Sequence, residues 1–331
     1  MKIAILDDYQ DQVRKLECFS LLADHQVKIF NHSAQGTGQL AIRLAAFDAL
    51  VLIRERTFFS AALLNKLPNL KLISQTGKVS GHIDMTAATA RGIAVAEGVG
   101  DPTAPAELAW ALIMAASRRI PEYASNLRDG LWQMTSTRTG QNHLGRVVKG
   151  RTLGIYGYGK IGKLVAGFGR AFGMRVLVWG RPPSLAAAVD DGFSVAPSKE
   201  AFFEQVDVLS VHLRLNDATA GCIDRADLDR MKTDALLVNT SRAELFAPGA
   251  LEAALLAGRP GFAALDVFDT EPLAPSAAIL RLPNVLATPH VGYVEQDSFE
   301  IYFRAAFENI VAFAMGAPRN ILNPAALALP R

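Results

Sequence analysis

The stretch Arg151 to Arg181, RTLGIYGYGKIGKLVAGFGRAFGMRVLVWGR, constrains the fold more than any other. Leu153 to Tyr156 is a short apolar run, Gly157-Tyr158-Gly159-Lys160-Ile161-Gly162 follows, a helix-period segment continues to Phe172, and Val176 to Trp179 is a second apolar run. That order predicts a βαβ unit with G-x-G-x-x-G at its first turn. Gly157 permits the tight turn, Gly159 lets the backbone approach a pyrophosphate, and Gly162 lets helix and strand pack closely. The helix N-terminus presents N–H groups to the anion. A chain with 26 glycines produces such a spacing by chance. The flanking strand and helix are what point to a dinucleotide site instead of a structural turn.

Strand-like and helical segments alternate on both sides of this unit. Before it, Lys2 to Leu6, Val27 to Phe30, Ala49 to Ile53 and Leu70 to Ser74 read as buried strands, with helical stretches such as Gln39 to Phe47 and Ser60 to Leu67 between them and a short strand at Ile93 to Ala96. After it come Asp207 to Leu213, Ala235 to Thr240, Gly261 to Val267 and Asn284 to Thr288. The alternation predicts an α/β chain with two doubly wound parallel sheets, the second of six or seven strands. The 331 residues suffice for two domains with separate cores. Thr103 to Ile120 is predicted as a long helix with Thr103 as N-cap, so apolar that it needs cover on more than one side. Glu295 to Gly316 is an amphipathic helix long enough to return the chain to the first sheet.

Charge excludes several classes of partner. Lys and Arg number 34 against 32 Asp and Glu, and the net charge of +2 is spread without a basic stripe, so no nucleic-acid or membrane surface is expected. MKIAILDDYQ is not a secretory signal and no uncharged apolar run reaches about 20 residues, so a cytoplasmic location is expected. Cys18 and Cys222 lie far apart and lack metal-ligand spacing, so buried thiols are expected and no metal.

Three stretches each end a strand of the second sheet with an ionisable side chain: Asn239-Thr240-Ser241-Arg242, Asp266-Val267-Phe268-Asp269-Thr270-Glu271, and Thr288-Pro289-His290. Strand ends of one parallel sheet converge on its ligand crevice. There Arg242 can clamp a carboxylate, His290 can exchange a proton with a reacting oxygen, and Glu271 can hold the imidazole in one tautomer and favour its charged form. In the first half, Gly77-Lys78-Val79-Ser80-Gly81 is a glycine-spaced loop after a strand, which fits a ligand loop and a structural turn equally well.

These motifs resemble the D-isomer-specific 2-hydroxyacid dehydrogenases. The likeness is carried by Gly157 to Gly162, by Met231-Lys232 through Asn239-Thr240-Ser241-Arg242, by Ala264-Leu265-Asp266-Val267-Phe268 with Glu271-Pro272, and by Leu282-Pro283-Asn284 through Thr288-Pro289-His290; Thr76-Gly77 and Ile83-Asp84 match less tightly. The resemblance implies a flavodoxin-like substrate domain from residues 1–101 and 293–331, with a Rossmann domain of residues 102–292 inserted in it. It also implies a substrate cleft and a homodimer through the helix from Thr103. By the same resemblance Arg242, Glu271 and His290 are catalytic, and Gly157 to Gly162, Gly180, Arg181, His212, Thr240 and Asp266 line the cofactor site, Asp266 on the nicotinamide carboxamide. The Val79-Ser80-Gly81 backbone, and Arg54 at a strand end, face a 2-keto or D-2-hydroxy acid such as glyoxylate or hydroxypyruvate. The related formate dehydrogenases carry an amide at the position of Glu271, so the carboxylate favours hydroxyacid chemistry. The runner-up is a nucleotide-sensing binding protein of the same fold, similar to the C-terminal-binding co-repressors, with little turnover.

The sequence departs from the family pattern in three places. Gly180 then Arg181 replace the acid that would hold the adenosine ribose hydroxyls, which points to NADP or dual use; a solvated Arg181 with NAD bound is the alternative. Ser241-Arg242-Ala243-Glu244 changes the arginine's neighbours. Lys78 could meet a second anionic group or point to water. His212 resembles a cofactor-lining position and equally fits a satisfied core histidine.

Overall fold

The computed structural model describes residues 1–34, 36–138, 140 and 142–329. It divides into two compact units, Met1–Asp101 with Val294–Arg331, and Pro102–Tyr293. Both are parallel α/β sheets, of five and seven strands, as the alternation requires.

The first unit contains β1 (Lys2–Ile5), β2 (Gln26–Ile29), β3 (Ala49–Ile53), β4 (Leu72–Thr76) and β5 (Ala94–Ala96), in the order β2-β1-β3-β4-β5. β3 and β4 are buried at every position, which is why they lack the polar alternation of a one-sided sheet. β4 runs two residues beyond the apolar pattern because its polar side chains find partners. Ser74 Oγ donates to Ala306 O at 2.8 Å, Thr76 Oγ1 donates to Leu52 O at 2.9 Å, and Gln75 Oε1 meets His82 Nε2 at 3.2 Å. Ala306 belongs to the helix Gln296–Ala314, which packs on β4 and on the 3-10 segment Glu17–Leu22. Its Phe299, Phe303 and Phe307 stack in sequence, with centroids 5.4 and 5.5 Å apart. Glu295 caps it, accepting from Ser298 N and Asp297 N. Two earlier helices are shorter than the pattern suggested, Thr37–Leu44 and Ala61–Leu64.

The second unit contains β6 (Thr152–Tyr156), β7 (Arg175–Trp179), β8 (Ser194–Val195), β9 (Val208–Val211), β10 (Leu236–Asn239), β11 (Phe262–Leu265) and β12 (Val285–Ala287), in the order β12-β11-β10-β9-β6-β7-β8. The strand order reverses between β6 and β9, where open α/β sheets bind ligands. Thr103 is the first residue of its helix; the N-cap is Pro102, so the expected cap is corrected. That helix, Thr103–Arg118, owes its apolarity to cover within its own unit. Ala106, Ala109, Leu112 and Ile113 enter the core over β10 and β11, and Trp110 packs on Phe168 and Phe172 of the neighbouring helical segment. It ends where Arg119 turns left-handed (φ 57°), and a separate helix, Ile120–Arg128, follows. Among the described residues no helix is long and apolar enough to cross a membrane.

Register is what positions the site. Tyr156 pairs with Trp179 and Val211, Val211 with Asn239, Asn239 with Leu265, and Leu265 with Ala287. The next residues, Gly180, Gly157, His212, Thr240, Asp266 and Thr288, therefore stand in one row, roughly 4.8 Å per strand. Behind Gly157, a Cβ on Gly162 would collide with Gly157 O and lie 3.2 Å from Ile155 Cγ2. The helix Lys160–Ala171 sits on β6 at a distance only glycine allows. Gly162→Ala should therefore cost about 1–3 kcal/mol, read as a lower urea midpoint at unchanged slope; an unaltered midpoint would contradict this packing.

Candidate active site

Gly157 turns at φ 99°, which glycine alone adopts without strain, and a Cβ there would lie 2.8 Å from His212 O. Gly159 caps the helix Lys160–Ala171, and a Cβ built on it meets nothing within 4 Å, so the helix N-terminus is open to an approaching anion. Tyr158 turns its side chain away: its hydroxyl donates to Asp191 at 2.8 Å, leaving its backbone to face the turn. His212 Nδ1 is buried without a partner, while its Nε2 is 2.9 Å from Ser210 Oγ. Burial lowers its pKa to about 4, so the ring is neutral. An orphaned ring nitrogen, an open glycine cap and a turn that excludes Cβ fit a dinucleotide.

Arg242 follows β10 on a short loop with little freedom. Asn239 is 1 % exposed; its Oδ1 accepts from Ser241 N at 3.0 Å and its Nδ2 donates to Arg242 O at 2.9 Å. Ser241 Oγ ties the loop to Val211 O at 2.8 Å, and Arg242 Nη1 donates to Ser241 O at 2.7 Å. The sequence pattern singled out Arg242; it assigned no part to Asn239 and Ser241, whose roles depend on which carbonyls the fold brings near.

His290 Nδ1 lies 2.6 Å from Glu271 Oε2, and Glu271 Oε1 accepts from Phe268 N at 2.9 Å. Burial pushes the Glu271 carboxyl up. The hydrogen bond and charge of His290, the Phe268 N–H and the charge of Arg242 outweigh it, leaving the group below its ordinary range. Glu271 therefore feels both the His290 ring and the Arg242 guanidinium, so the three residues share one electrostatic environment at the carboxyl ends of β10, β11 and β12. The His290 backbone is left-handed at φ 51° and its ring meets Tyr293 edge-on at 5.9 Å. A left-handed non-glycine persists only where its surroundings hold it.

Asp266 supplies that hold. Fully buried, it accepts from Thr288 Oγ1 at 2.7 Å and Val291 N at 2.9 Å on one oxygen, and from Gly292 N at 3.0 Å on the other. It thereby staples the loop on both sides of His290. Burial raises its carboxyl above the usual range despite these donors. Thr240 stands between Asn239 and Ser241 in the row of strand ends. Gly180 ends β7 with space beside it: an added Cβ would meet Ser184 Cβ at 3.7 Å, an ordinary contact. Arg181 next to it is exposed. A cavity of about 460 Å³ is lined by Asn239, Phe246, Leu265, Phe268 and Pro272 but not by Arg242 or His290. Among the described residues no group of His, Cys, Asp and Glu could hold a metal, and Cys18 and Cys222 are free thiols.

In the first unit, Arg54 (φ 52°) and the loop Lys78 to Gly81 follow the neighbouring strands β3 and β4. Arg54 N–H donates to Thr76 Oγ1 at 3.1 Å, and its guanidinium occupies the space a Cβ on Gly77 would need. Lys78 Nζ is paired with Glu97 at 2.5 Å. Val79 packs against the core, Ser80 and Gly81 are exposed, and Arg56, which the sequence reading passed over, donates to Asp7 O at 2.6 Å.

A parallel sheet with a glycine turn at its switch point and a paired histidine at the same edge defines a nucleotide-dependent oxidoreductase. Residues 110–292 match the family described as D-isomer specific 2-hydroxyacid dehydrogenase, NAD binding domain. The chain is 39% identical over 266 residues to a glyoxylate reductase of Aeropyrum pernix, covering 79% of this chain and 78% of that one. It is 32% identical to a D-3-phosphoglycerate dehydrogenase of Archaeoglobus fulgidus, over 86% of this chain and 53% of that one. Among solved structures, a phosphoglycerate oxidoreductase from Vibrio cholerae is 54% identical, with a TM-score of 0.92 over 96% of this chain and 100% of its own. The protein belongs to the D-isomer-specific 2-hydroxyacid dehydrogenase family.

The Asp266 staple has a measurable consequence. An amide cannot accept on both sides, so Asp266→Asn leaves a loop N–H or the Thr288 hydroxyl unpaired, costing about 1–3 kcal/mol. Faster amide exchange at Val291 and Gly292 is expected; unchanged protection would contradict the staple.

Proposed function

We propose that the protein reversibly reduces a small 2-keto acid of the glyoxylate or hydroxypyruvate class to the D-2-hydroxy acid. The carrying observation is the 2.6 Å contact of His290 with a Glu271 carboxylate that also feels Arg242. Arg242 binds the substrate carboxylate with its guanidinium fork and offsets charge developing on the carbonyl oxygen. Glu271 accepts from Nδ1, which leaves Nε2 of the protonated ring to give its proton to that oxygen and to recover it in the oxidation direction. When bound, the nicotinamide supplies or takes the hydride. Asp266 keeps the imidazole at the edge of the sheet, and Asn239 with Ser241 keep the guanidinium there. In the first unit, which we assign as the substrate domain, Arg54 and the backbone of Val79, Ser80 and Gly81 are the proposed substrate contacts. Lys78 is held by Glu97, so a second anionic group on the substrate would have to displace that partner.

The relatives support the substrate class: one is named for glyoxylate and others for 3-phosphoglycerate, both with the same carboxylate and oxygen pattern about the reacting carbon. For the cofactor we propose NADP or dual use. The support is Gly180, where a Cβ would make only ordinary contacts yet no acidic side chain stands, with the exposed Arg181 beside it. We also propose a homodimer. Its support is the number of exposed apolar residues that follow the helix from Thr103: Trp132 is 75 % and Leu144 87 % exposed, and Ile120, Leu127 and Val147 are exposed as well.

Replacing His290 by Ala should lower turnover of glyoxylate about 10²–10⁴-fold while NADH binding, followed by fluorescence, stays intact; full activity would exclude the assignment. The depressed Glu271 carboxyl is ionised throughout neutral pH and loses its charge only below the ordinary carboxylate range, so its support of the imidazolium is in place at neutral pH. In Glu271→Gln that support is gone at every pH, and the alkaline limb of the reduction profile should move to lower pH. An unmoved limb would show that the pair does not govern the proton. Arg181→Ala should raise KM for NADPH more than for NADH, and equal effects would retire the 2′-phosphate.

A further inference from the structure

We infer that Arg214 is a second cofactor-specificity residue, which with Arg181 gives the adenosine end of the site two guanidiniums for a 2′-phosphate; the inference rests on the proposed use of NADP.

The argument starts from what flanks Gly157. β6 lies between β7 and β9 in the sheet, and the segments that follow those strands both touch the glycine turn. On the β9 side, a Cβ on Gly157 would meet His212 O at 2.8 Å and Leu213 Cδ2 at 3.0 Å. On the β7 side, a Cβ on Gly180 would lie 3.8 Å from Gly157 Cα. The next residue outward is an arginine in both segments, Arg181 after Gly180 and Arg214 after Leu213. Both are exposed, and neither guanidinium has a hydrogen bond or ion pair among the described residues.

Arg214 stands on a fixed base. Thr219 Oγ1 donates to Arg214 O at 2.7 Å and accepts from Asn216 N at 2.8 Å, while Asn216 Oδ1 accepts from Ala218 N at 3.0 Å. These bonds within the loop set the shape of the backbone that carries the guanidinium.

The helix after β7 explains why side chains must do this work. Pro182 and Pro183 are the first residues of the helix Pro182–Asp190 and have no N–H. The next two donors, Ser184 N and Leu185 N, both bond Arg181 O, at 2.9 and 3.1 Å. Its first turn has no backbone donor left for an anion, unlike the open end at Gly159 that faces a pyrophosphate. A phosphate monoester carries about −1.5 to −2 charges near pH 7. One exposed guanidinium discriminates weakly for such a group, and two carried on segments that flank one turn would together match its charge.

Isothermal titration of the purified protein with ADP and with 2′,5′-ADP separates the inference from the reading beneath it, because neither nucleotide needs turnover. Arg214→Ala should weaken 2′,5′-ADP about tenfold and leave ADP within about twofold, with Arg214→Lys keeping most of the selectivity. Equal losses for both nucleotides would put the guanidinium on the pyrophosphate or the adenine and overturn the inference, as would no loss at all. Selectivity destroyed in Arg181→Ala but intact in Arg214→Ala overturns the role of Arg214 and leaves NADP use standing. A wild-type protein that binds the two nucleotides equally overturns both. Thermal melts of the variants exclude misfolding as the source of any loss.

Discussion

Hydrogen bonds of a parallel ladder fix each strand end against its neighbours, and in the second unit this register decides where every reactive group stands. Five aligned pairings, from Trp179 through Tyr156, Val211, Asn239 and Leu265 to Ala287, deliver the glycine turn, His212, the Arg242 loop, Asp266 and the His290 loop to one edge. A slip of one residue in any pair would exchange the two faces of that strand and displace its loop by one position. β6, β9 and β10 are buried at every position, so such a slip is opposed by the core that packs them, including the fully buried Phe202 and Phe203. Stability and chemistry are thus one problem here.

On that frame, the side chains act in layers. Asp266 does not need to touch substrate to matter: it holds Thr288, Val291 and Gly292, and so sustains the left-handed turn at His290. Asn239 and Ser241 do the same for Arg242 by tying its loop to itself and to β9. Glu271, hydrogen-bonded to His290 and within reach of the Arg242 charge, is held below the ordinary carboxylate range. Each of the three side chains proposed for the chemistry is held by a neighbour that is itself held by the backbone.

Much of this was legible in the sequence. Apolar runs of strand length pointed to both sheets, and the glycine spacing at Gly157 to Gly162 with ionisable residues just beyond three strands pointed to the three residues proposed for the site. What escaped had physical reasons. β4 extends through Ser74, Gln75 and Thr76 because polar atoms satisfied by distant partners can be buried, and no local pattern announces those partners. β8 is two residues long, too short for a periodicity. Thr103 looked like a cap, but the chain enters the helix at Pro102. The apolarity of Thr103–Arg118 pointed to an interdomain or subunit contact; part of the helix enters the core of its own unit, and Ile120, Leu127, Trp132, Leu144 and Val147 after it are exposed. Arg214 carried no motif and gains its interest only from Leu213 lying against Gly157.

The central claim is that Arg242 and His290 grip opposite functions of one small acid, the first its carboxylate and the second its reacting oxygen. A crystal structure of the protein with reduced cofactor and oxamate, an unreactive keto-acid mimic, tests this most directly. The expected result is the oxamate carboxylate on the Arg242 guanidinium and its carbonyl oxygen within hydrogen-bond reach of His290 Nε2, with the Glu271 contact to Nδ1 retained. Oxamate bound away from either side chain, or an imidazole turned from Glu271 in the occupied site, would contradict the account.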